Sequence, residues 1–321
     1  MKPYFPQIII STVIALTSSL AFSQTSATPI TVIVPYSAGG ASDSIVRAMG
    51  KSIAQNNQTP VVIENKPGGG TFIAAQALMS KPADGSTVLL IGSSTVINPY
   101  LQGNAPYDID RDFAPVSGVA ENPHVLVVNP DLHVKSLEEY LAHVKEKKGD
   151  STYSSFGNGS SGHLGFEVFK QQNGLESLHV PYKGGAPALM AVLSGEVEAS
   201  FADIGTAAPH ITSGKLHALA VAGSKRSPAL PNVPTFREAG APDLTSQSWF
   251  VLVARKGTPE TELSQLSSAF TASLKDPEVK KVMENHGMEA LFMKPASIEK
   301  FLQKEAKKFQ TVIQDAKIEA N

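Results

Sequence analysis

The chain has 321 residues, no cysteine, and 27 basic against 29 acidic side chains. Its length suggests about two domains, and a hydrophobic fraction of 42% is sufficient for packed cores. The missing cysteines exclude disulfides, thiol nucleophiles, thiolate metal sites and a lipoprotein anchor, while a net charge of −2 argues against a nucleic-acid-binding surface.

The N-terminal segment has the pattern of an export signal. Lys2 provides a positive charge, and the apolar run from Ile8 to Phe22 is shorter than the roughly 20 residues that span a bilayer. Small residues at Ala21 and Ser23 form a cleavage site. Residues 1–23 are therefore predicted to be removed as a signal peptide, which would leave the chain free in the periplasm.

Strand-like and helix-like segments then alternate along the chain. Apolar runs predict strands at residues 29–35, 60–64, 87–91, 123–129, 151–155, 178–181, 197–202, 216–222 and 248–254. Helical patterns lie between them at residues 42–55, 71–80, 136–148, 163–172 and 186–193, and helices alone follow at 258–274, 276–286 and 297–317. A proline-rich connector covers residues 227–234. This alternation predicts an α/β fold of open, largely parallel sheets with helices on both faces.

Helix-start signals accompany three of these segments. Ser136 followed by Glu139 is a capping box, in which side chains at the helix start satisfy free backbone N–H groups. Thr258 and Asp276 each precede a proline, the arrangement of an N-cap residue before the first helical position. These signals predict where the three helices begin.

One stretch of the sequence is echoed later in the chain. VPYSAGGA at residues 34–41 resembles VPYKGGA at residues 180–186. In each case a strand is predicted to end, a glycine-rich turn follows and a helix begins, and the copies lie too far apart for a solenoid repeat. The echo favours two lobes that present the same element at a shared cleft, although chance similarity between two common turns gives the same pattern.

Glycine-rich turns after several strands point to an anion. Residues 157–162 match the G-x-G-x-x-G pattern, but a dinucleotide site also needs an acidic residue after the next strand, where this chain has Val180-Pro181-Tyr182. What remains is a backbone that can approach a ligand and offer N–H groups at a helix start. Because these turns contain one lysine, Lys183, with Lys66 just before another turn, a small carboxylate is favoured over a polyphosphate.

Polar side chains near these turns have more than one interpretation. Ser155, Ser160 and His163 are placed to add hydrogen bonds to a ligand, although His163 could equally cap the helix start. For Asp43, bracing the first turn or capping its helix is favoured over ligand contact. Asp203 could accept from a ligand ammonium or hydroxyl, or cap the helix that follows.

No catalytic or metal-binding motif stands out. The sequence contains neither G-x-S-x-G nor H-E-x-x-H, and its eight histidines lack metal-ligand spacing. No catalytic residue, metal or cofactor is therefore predicted, although proton-transfer chemistry at Asp203 or His163 is left open.

Longer stretches carry a family resemblance. They are VPYSAGGASD at 34–43, VIENKPGGG at 62–70, ADGSTVLL at 83–90, GKLHALAVAGSKRSPALPNVPTFREAG at 214–240 and KGTPETELSQL at 256–266. Together they resemble the extracytoplasmic solute receptors of tripartite tricarboxylate transporters, also called Bug-type or TctC-like proteins, over essentially the whole mature chain. Thr71 departs from the family pattern, which often has glycine or another small residue there.

The resemblance implies a two-lobed type II periplasmic-binding-protein fold that closes around a small carboxylate. Lobe one is expected to contain residues 24–122 and 250–321, and lobe two residues 123–249. In lobe one the implied ligand contacts are Tyr36, Ser37, Ala38 and Gly39, with Ser93 and Ser94 from the turn after the third strand. In lobe two they are Ser155, Gly159, Ser160, His163, Tyr182, Lys183, Gly184 and Asp203.

The function that follows is that of a monomeric periplasmic receptor for a mono-, di- or tricarboxylate. Its partners would be integral membrane transporter subunits, with no role for nucleic acid. A ligand sensor that docks on a membrane histidine kinase is the alternative, and an enzyme built on the same fold is a third possibility.

Overall fold

The computed structural model describes residues 28–68 and 71–318. The predicted signal peptide, residues 1–23, lies outside the described residues. Among the helices of these two ranges, none combines the length and the hydrophobicity that crossing a bilayer requires.

Strands and helices alternate along the chain, and they include helices at residues 93–102 and 109–112 and a short strand at residues 289–290 that the sequence did not predict. The first part contains β1 (Ile30–Val34), α1 (Ala41–Asn57), β2 (Val61–Asn65), α2 (Phe72–Met79), β3 (Thr87–Gly92), α3 (Ser93–Gln102), α4 (Ile109–Asp112) and β4 (Phe113–Val128). The middle part contains α5 (Leu137–Lys147), β5 (Thr152–Ser155), α6 (Ser161–Asn173), β6 (Leu178–Pro181), α7 (Gly185–Leu193), β7 (Ala199–Asp203), α8 (Ile204–Thr212) and β8 (His217–Ala222). The last part contains β9 (Gln247–Arg255), α9 (Glu260–Ser273), α10 (Pro277–Asn285), β10 (Glu289–Ala290) and α11 (Pro295–Asp315).

The strands form two groups that share β4. In the first group β2, β1 and β3 are parallel to one another. β9 runs antiparallel to β3, β4 runs antiparallel to β9, and the short β10 pairs antiparallel with β4. In the second group β6, β5 and β7 are parallel, and β4 runs antiparallel to both β7 and β8. The α/β prediction is confirmed, and the fold is two-lobed, with β4 and β9 crossing between the lobes.

The central strands of each group are buried on both faces, whereas the outer strands β2 and β6 are partly exposed. In β1, Val32 and Val34 pack into one apolar cluster while Ile33 packs into another, because successive side chains point to opposite faces. In the second half of β4, Leu126 and Val125 divide between two further clusters in the same way. Continuous apolar runs, rather than alternating ones, are therefore the signature of these strands.

The two groups have the same strand order, with β5 occupying the position of β1. When each group is followed from its outer parallel strand towards the middle of the sheet, the order β2-β1-β3-β9 in lobe one corresponds to the order β6-β5-β7-β4 in lobe two. The sequence echo pairs residues 34–41 with residues 180–186, which follow β1 and β6. The echoed stretches therefore follow strands that are not equivalent in the two lobes. The echo is a local similarity between two turns and does not reflect the shared strand order of the lobes.

The predicted helix starts are partly correct. Ser136 accepts a hydrogen bond from the Glu139 amide (3.1 Å), and Asp276 accepts one from the Glu278 amide (2.8 Å). The prediction for Thr258 is wrong, because α9 begins after Pro259 and the Thr258 hydroxyl donates to the Arg255 carbonyl (2.7 Å) instead.

Candidate functional site

The candidate site lies where the parallel strands end. In lobe one β1 is followed by a turn and α1, and β3 leads directly into α3, while in lobe two β5, β6 and β7 are followed by α6, α7 and α8. The starts of these helices share one edge of each sheet, where ligands bind in open α/β folds. The two edges meet, since Gly159 packs against Ile97 and Leu101 on α3. The structure thus brings the predicted turns of both lobes together.

Most of these helices begin without a side-chain cap. No side chain accepts a hydrogen bond at the starts of α1, α3, α7 and α8, whereas α6 is capped by Ser160. Elsewhere in the fold both kinds of start occur, since Asp108, Ser136 and Asp276 cap α4, α5 and α10, whereas α9 and α11 have no side-chain cap. The free N–H groups and the positive ends of the helix dipoles favour an anion between the lobes.

In lobe one the predicted contacts sit on an exposed, braced turn. Ser37, Ala38 and Gly39 are exposed, while Tyr36 is half-buried and its hydroxyl lies 3.1 Å from the Ser94 hydroxyl. The Tyr36 ring packs edge-on against Phe250, with 5.7 Å between the ring centroids. The structure therefore joins the turn after β1 to the start of α3.

Asp43 braces that turn from behind. Its carboxylate accepts hydrogen bonds from the Gly39 amide, the Arg47 guanidinium and the Asn65 amide group, each at 2.9 Å. Burial raises the pKa of Asp43, but the hydrogen bonds from Arg47, Gly39 and Asn65 outweigh it and the net pKa lies below its usual range. The interpretation of Asp43 as a loop brace is confirmed.

Ser93 and Ser94 belong to a helix rather than to a turn. They are the first two residues of α3, and the preceding Gly92 has little free space, since a Cβ there would lie 2.9 Å from the Tyr36 hydroxyl. The expected polar turn after β3 is thus wrong. Both serines nevertheless lie at the sheet edge that the prediction gave them.

In lobe two the turn after β5 is held by its own side chains. The Ser155 hydroxyl is buried and donates to the Gly157 carbonyl (2.9 Å), while the Ser160 hydroxyl caps α6 by accepting from the His163 amide (3.3 Å). The His163 ring also accepts a hydrogen bond at Nδ1 from the Gly159 amide (3.0 Å). These groups shape the turn, and Gly159 itself is buried against α3.

The turn after β6 is the more open part of lobe two. Lys183 is exposed, and the Gly184 amide donates to the Phe156 carbonyl (3.1 Å), which ties this turn to the one after β5. The Tyr182 hydroxyl donates to Glu196 (2.8 Å), and burial, followed by that hydrogen bond, raises the Tyr182 pKa. Gly184 has a φ of +108°, and a Cβ at this position would meet no atom within 4 Å, so its backbone faces open space.

Asp203 does not cap the helix that follows it. It precedes α8, yet its side chain makes no capping hydrogen bond, so that interpretation is wrong. Instead its Oδ1 accepts from the Ser248 hydroxyl (3.1 Å) and lies 3.4 Å from His124 Nε2. Its other oxygen faces the first residue of α7, Gly185.

A buried polar cluster at the crossing strands holds Asp203. His124 on β4 is fully buried, with Nδ1 2.8 Å from the Ser246 hydroxyl and Nε2 3.3 Å from the Ser248 hydroxyl. The sequence contains no signal for this cluster, because its members come from distant segments. Both nitrogens of the buried imidazole are engaged by serine hydroxyls, so the cluster fixes the position of Asp203 at the crossing strands.

A depression of about 950 Å³ lies at the opposite edge of lobe one, away from these helix starts. It is lined by Ile30 at the start of β1, by Asp84 before β3 and by Glu262 on α9. Its acidic side chains disfavour an anion, so the edge between the lobes is the better candidate.

Comparisons with known proteins agree with this geometry. A family profile described as "Tripartite tricarboxylate transporter family receptor" matches residues 45–318. Protein BugT of Bordetella pertussis is 33% identical over 291 residues, which cover 90% of this chain and 89% of BugT.

Two solved structures with carboxylates are also similar. Rpa4515 of R. palustris with adipate is 29% identical, with a TM-score of 0.78, and the match covers 91% of this chain and 98% of that one. MatC from Rhodopseudomonas palustris with bound malate is 28% identical, with a TM-score of 0.74, and the match covers 89% and 98%.

Proposed function

The chain belongs to the tripartite tricarboxylate transporter family of receptors, and from that membership we propose that it captures a small organic carboxylate in the periplasm for a membrane transporter. The observation that carries the ligand class is the set of uncapped helix starts at the edge between the lobes. These starts supply N–H donors and positive partial charge without a cluster of arginines, which suits a carboxylate. The carboxylates bound by Rpa4515 and MatC support the same class.

Binding would close the two lobes about their crossing strands. Lobe one would contain residues 24–122 and 250–321, and lobe two residues 123–249, with a hinge where Pro123 pairs with Gln247. A ligand that contacts the turns of both lobes stabilises the closed state, because only that state offers both sets of donors at once. The closed receptor would then present a surface to integral membrane subunits that the open receptor lacks.

A thermal-shift screen with matched ligands tests the proposed class. Malate, adipate and citrate should raise the melting temperature, and a ligand at ~100 times its Kd stabilises the folded state by about 2.7 kcal/mol. The fully amidated form of each acid, a diamide for malate and adipate and a triamide for citrate, is the control, since it keeps the carbon skeleton without the charge. Stabilisation by sugars or cationic amines, with none by any carboxylate, would overturn the proposal.

A further inference from the structure

Two histidines are stacked beneath the turn that joins β5 to α6. The rings of His163 and His179 are nearly parallel, at 8°, with 3.7 Å between their centroids. Tyr153 continues the stack, 5.0 Å from His179, and Phe166 lies 3.8 Å beyond Tyr153. His163 is 4% exposed, so the stack is part of the packed interior of lobe two.

Each histidine contacts a different end of the turn. His163 Nδ1 accepts from the Gly159 amide at 3.0 Å, and His179 Nε2 lies 2.7 Å from the Ser155 hydroxyl. The Ser155 hydroxyl also contacts the Gly157 carbonyl (2.9 Å), and the tautomer of His179 sets the direction of its hydrogen bond with Ser155. The turn is thus fixed at both ends by imidazole nitrogens.

These contacts require a neutral His163. A ring nitrogen that accepts an amide hydrogen cannot itself carry a proton, so the hydrogen of His163 is on Nε2. Burial, with a further contribution from the nearby Lys170 ammonium, lowers the pKa of His163 to about 4. Burial and the adjacent His163 also lower the pKa of His179, against the opposing charge of Glu167.

The other charged and titratable groups near the two histidines are Glu167, Lys170 and Tyr153. The Glu167 carboxylate accepts from the Tyr153 hydroxyl (2.5 Å) and from the Lys170 ammonium (2.8 Å), so its charge is largely compensated. Burial and Glu167 hold the pKa of Tyr153 far above its ordinary value, and that hydroxyl stays protonated. Within this cluster, His163 is the group whose protonation would break a hydrogen bond that holds the turn.

We propose that His163 and His179 are positioning residues for the ligand: their stacked rings hold the turn from Ser155 to Ser160 in its binding shape, and only the neutral form of His163 does so. This inference rests on the proposed carboxylate function. It gives His163 a role through the backbone of the turn, in place of direct contact with the ligand, and it assigns a role to His179.

The expected pH dependence has a definite sign. The folded state keeps His163 neutral, whereas the unfolded chain takes up a proton near the ordinary histidine pKa of ~6.5. The stabilisation of the turn is therefore complete at neutral pH and is lost as the pH falls from there through the folded-state pKa of about 4. Ligand affinity is a property of the folded state, so it should fall only as the pH passes through the folded-state pKa of about 4.

Conservative and disruptive variants separate positioning from simple packing. The probe is whichever of malate, adipate and citrate binds the wild type most tightly at pH 7.5 by calorimetry. In His163→Asn the side-chain oxygen can still accept from Gly159, so affinity should stay close to that of the wild type, whereas His163→Leu should lose roughly tenfold, the scale of one hydrogen bond. His179→Gln and His179→Leu form the matching pair at the other end of the turn.

Acidification provides the second comparison. Between pH 7.5 and pH 3.5, below the His163 pKa of about 4, the wild type should lose more affinity than His163→Asn, which lacks the titrating imidazole. The ratio of the two losses cancels protonation of the ligand itself. Equal losses in both proteins, or equal affinities of His163→Asn and His163→Leu at pH 7.5, would overturn the proposal.

NMR of the wild type tests the inference directly, even where a variant fails to fold. In the ligand-free wild type labelled with ¹⁵N-histidine and ¹⁵N-glycine, NMR should show His163 protonated on Nε2 alone, and the Gly159 amide should shift as His163 titrates. A hydrogen on Nδ1 of His163, or a Gly159 amide chemical shift that does not change as His163 titrates, would also refute the inference. Absence of carboxylate binding by the wild type, with these NMR results intact, would instead count against the proposed function.

Discussion

Glycine occupies positions 159 and 184 for different physical reasons. A side chain at Gly159 would collide with Leu101, so the glycine there permits close packing between the lobes. Gly184 has open space beside it, and what it supplies is a backbone conformation, φ +108° and ψ 176°, that other residues rarely adopt. The sequence shows the two residues in similar glycine-rich turns, so the distinction needs the neighbours that only folding brings.

Gly184→Val is therefore the cleaner test of the turn after β6. The variant should lose ligand binding, because valine cannot keep the turn that ends at the start of α7, and it should still unfold cooperatively at a cost of about 1–3 kcal/mol. Gly174→Val is the control, since Gly174 also has a positive φ with no neighbour within 4 Å but ends α6 away from the site. Calorimetry and urea unfolding would check both, and unchanged affinity in Gly184→Val would remove this turn from the site.

At the scale of elements, two helices with the same kind of cap differ in how close they lie to the candidate site. Ser136 and Ser160 make the same kind of N-cap hydrogen bond, to the amides of Glu139 and His163. α5 is remote from the edge between the lobes, whereas α6 begins at it. The same bond therefore has different consequences in the two places.

Ser136→Ala and Ser160→Ala form a matched pair. Each should lower the free energy of unfolding by about 1 kcal/mol, the usual contribution of an N-cap side chain. Only Ser160→Ala should also weaken carboxylate binding, because its loss loosens the turn that precedes α6. Equal affinities of the two variants, measured by calorimetry at the same pH, would show that the cap of α6 plays no part in binding.

The elements that the sequence predicts are those with a local signal. The apolar strands and the helices with Ser136 or Asp276 at their start are correct, because burial on both faces and capping leave a mark on the residues themselves. The first half of β4 is missed, since Pro115 and Gly118 read as breaks. There the register shifts twice against β9, and such bulges accommodate these residues only when a partner strand is present.

The candidate site also has parts that the sequence predicts and parts that it does not. The turns after β1, β5 and β6 are visible as glycine-rich stretches, and the structure places them at the predicted edge of each sheet. His124, Ser246 and Ser248 are not visible, because a buried histidine in an apolar strand has no pattern of its own. Their meeting with Asp203 depends on the crossing of β4 and β9, which is a property of the whole chain.

For the whole molecule, a glycine contact links the two lobes beside the crossing strands. A side chain on Gly205 in α8 would collide with Gly287 and the His286 carbonyl, which belong to the turn between α10 and β10. Lobe two thus approaches lobe one with backbone against backbone. The contact has no room for even one methyl group, so it limits how closely the lobes approach at this point.

Gly205→Ala should therefore bias the receptor toward the open state. Ligand affinity should fall although the residue is not among the predicted ligand contacts, and small-angle scattering at saturating ligand should show less compaction than in the wild type. Gly223→Ala is the control, because a Cβ there meets its neighbours at 3.5 Å or more. The same compaction in Gly205→Ala as in the wild type would show that the glycine contact does not limit closure.

The position of β9 also dictates an order of assembly. β3 and β4 follow one another along the chain but are not neighbours in the sheet, because β9 lies between them and pairs with both. The sheet of lobe one is therefore incomplete until the whole of lobe two has been synthesised, whereas β5, β6 and β7 need only a short stretch of chain to pair. Pairings that are distant in sequence form more slowly, since a longer loop must close first. In pulsed hydrogen exchange during refolding, amides of β5 and β7 should gain protection before those of β9, and simultaneous protection would indicate that the two lobes fold as one unit.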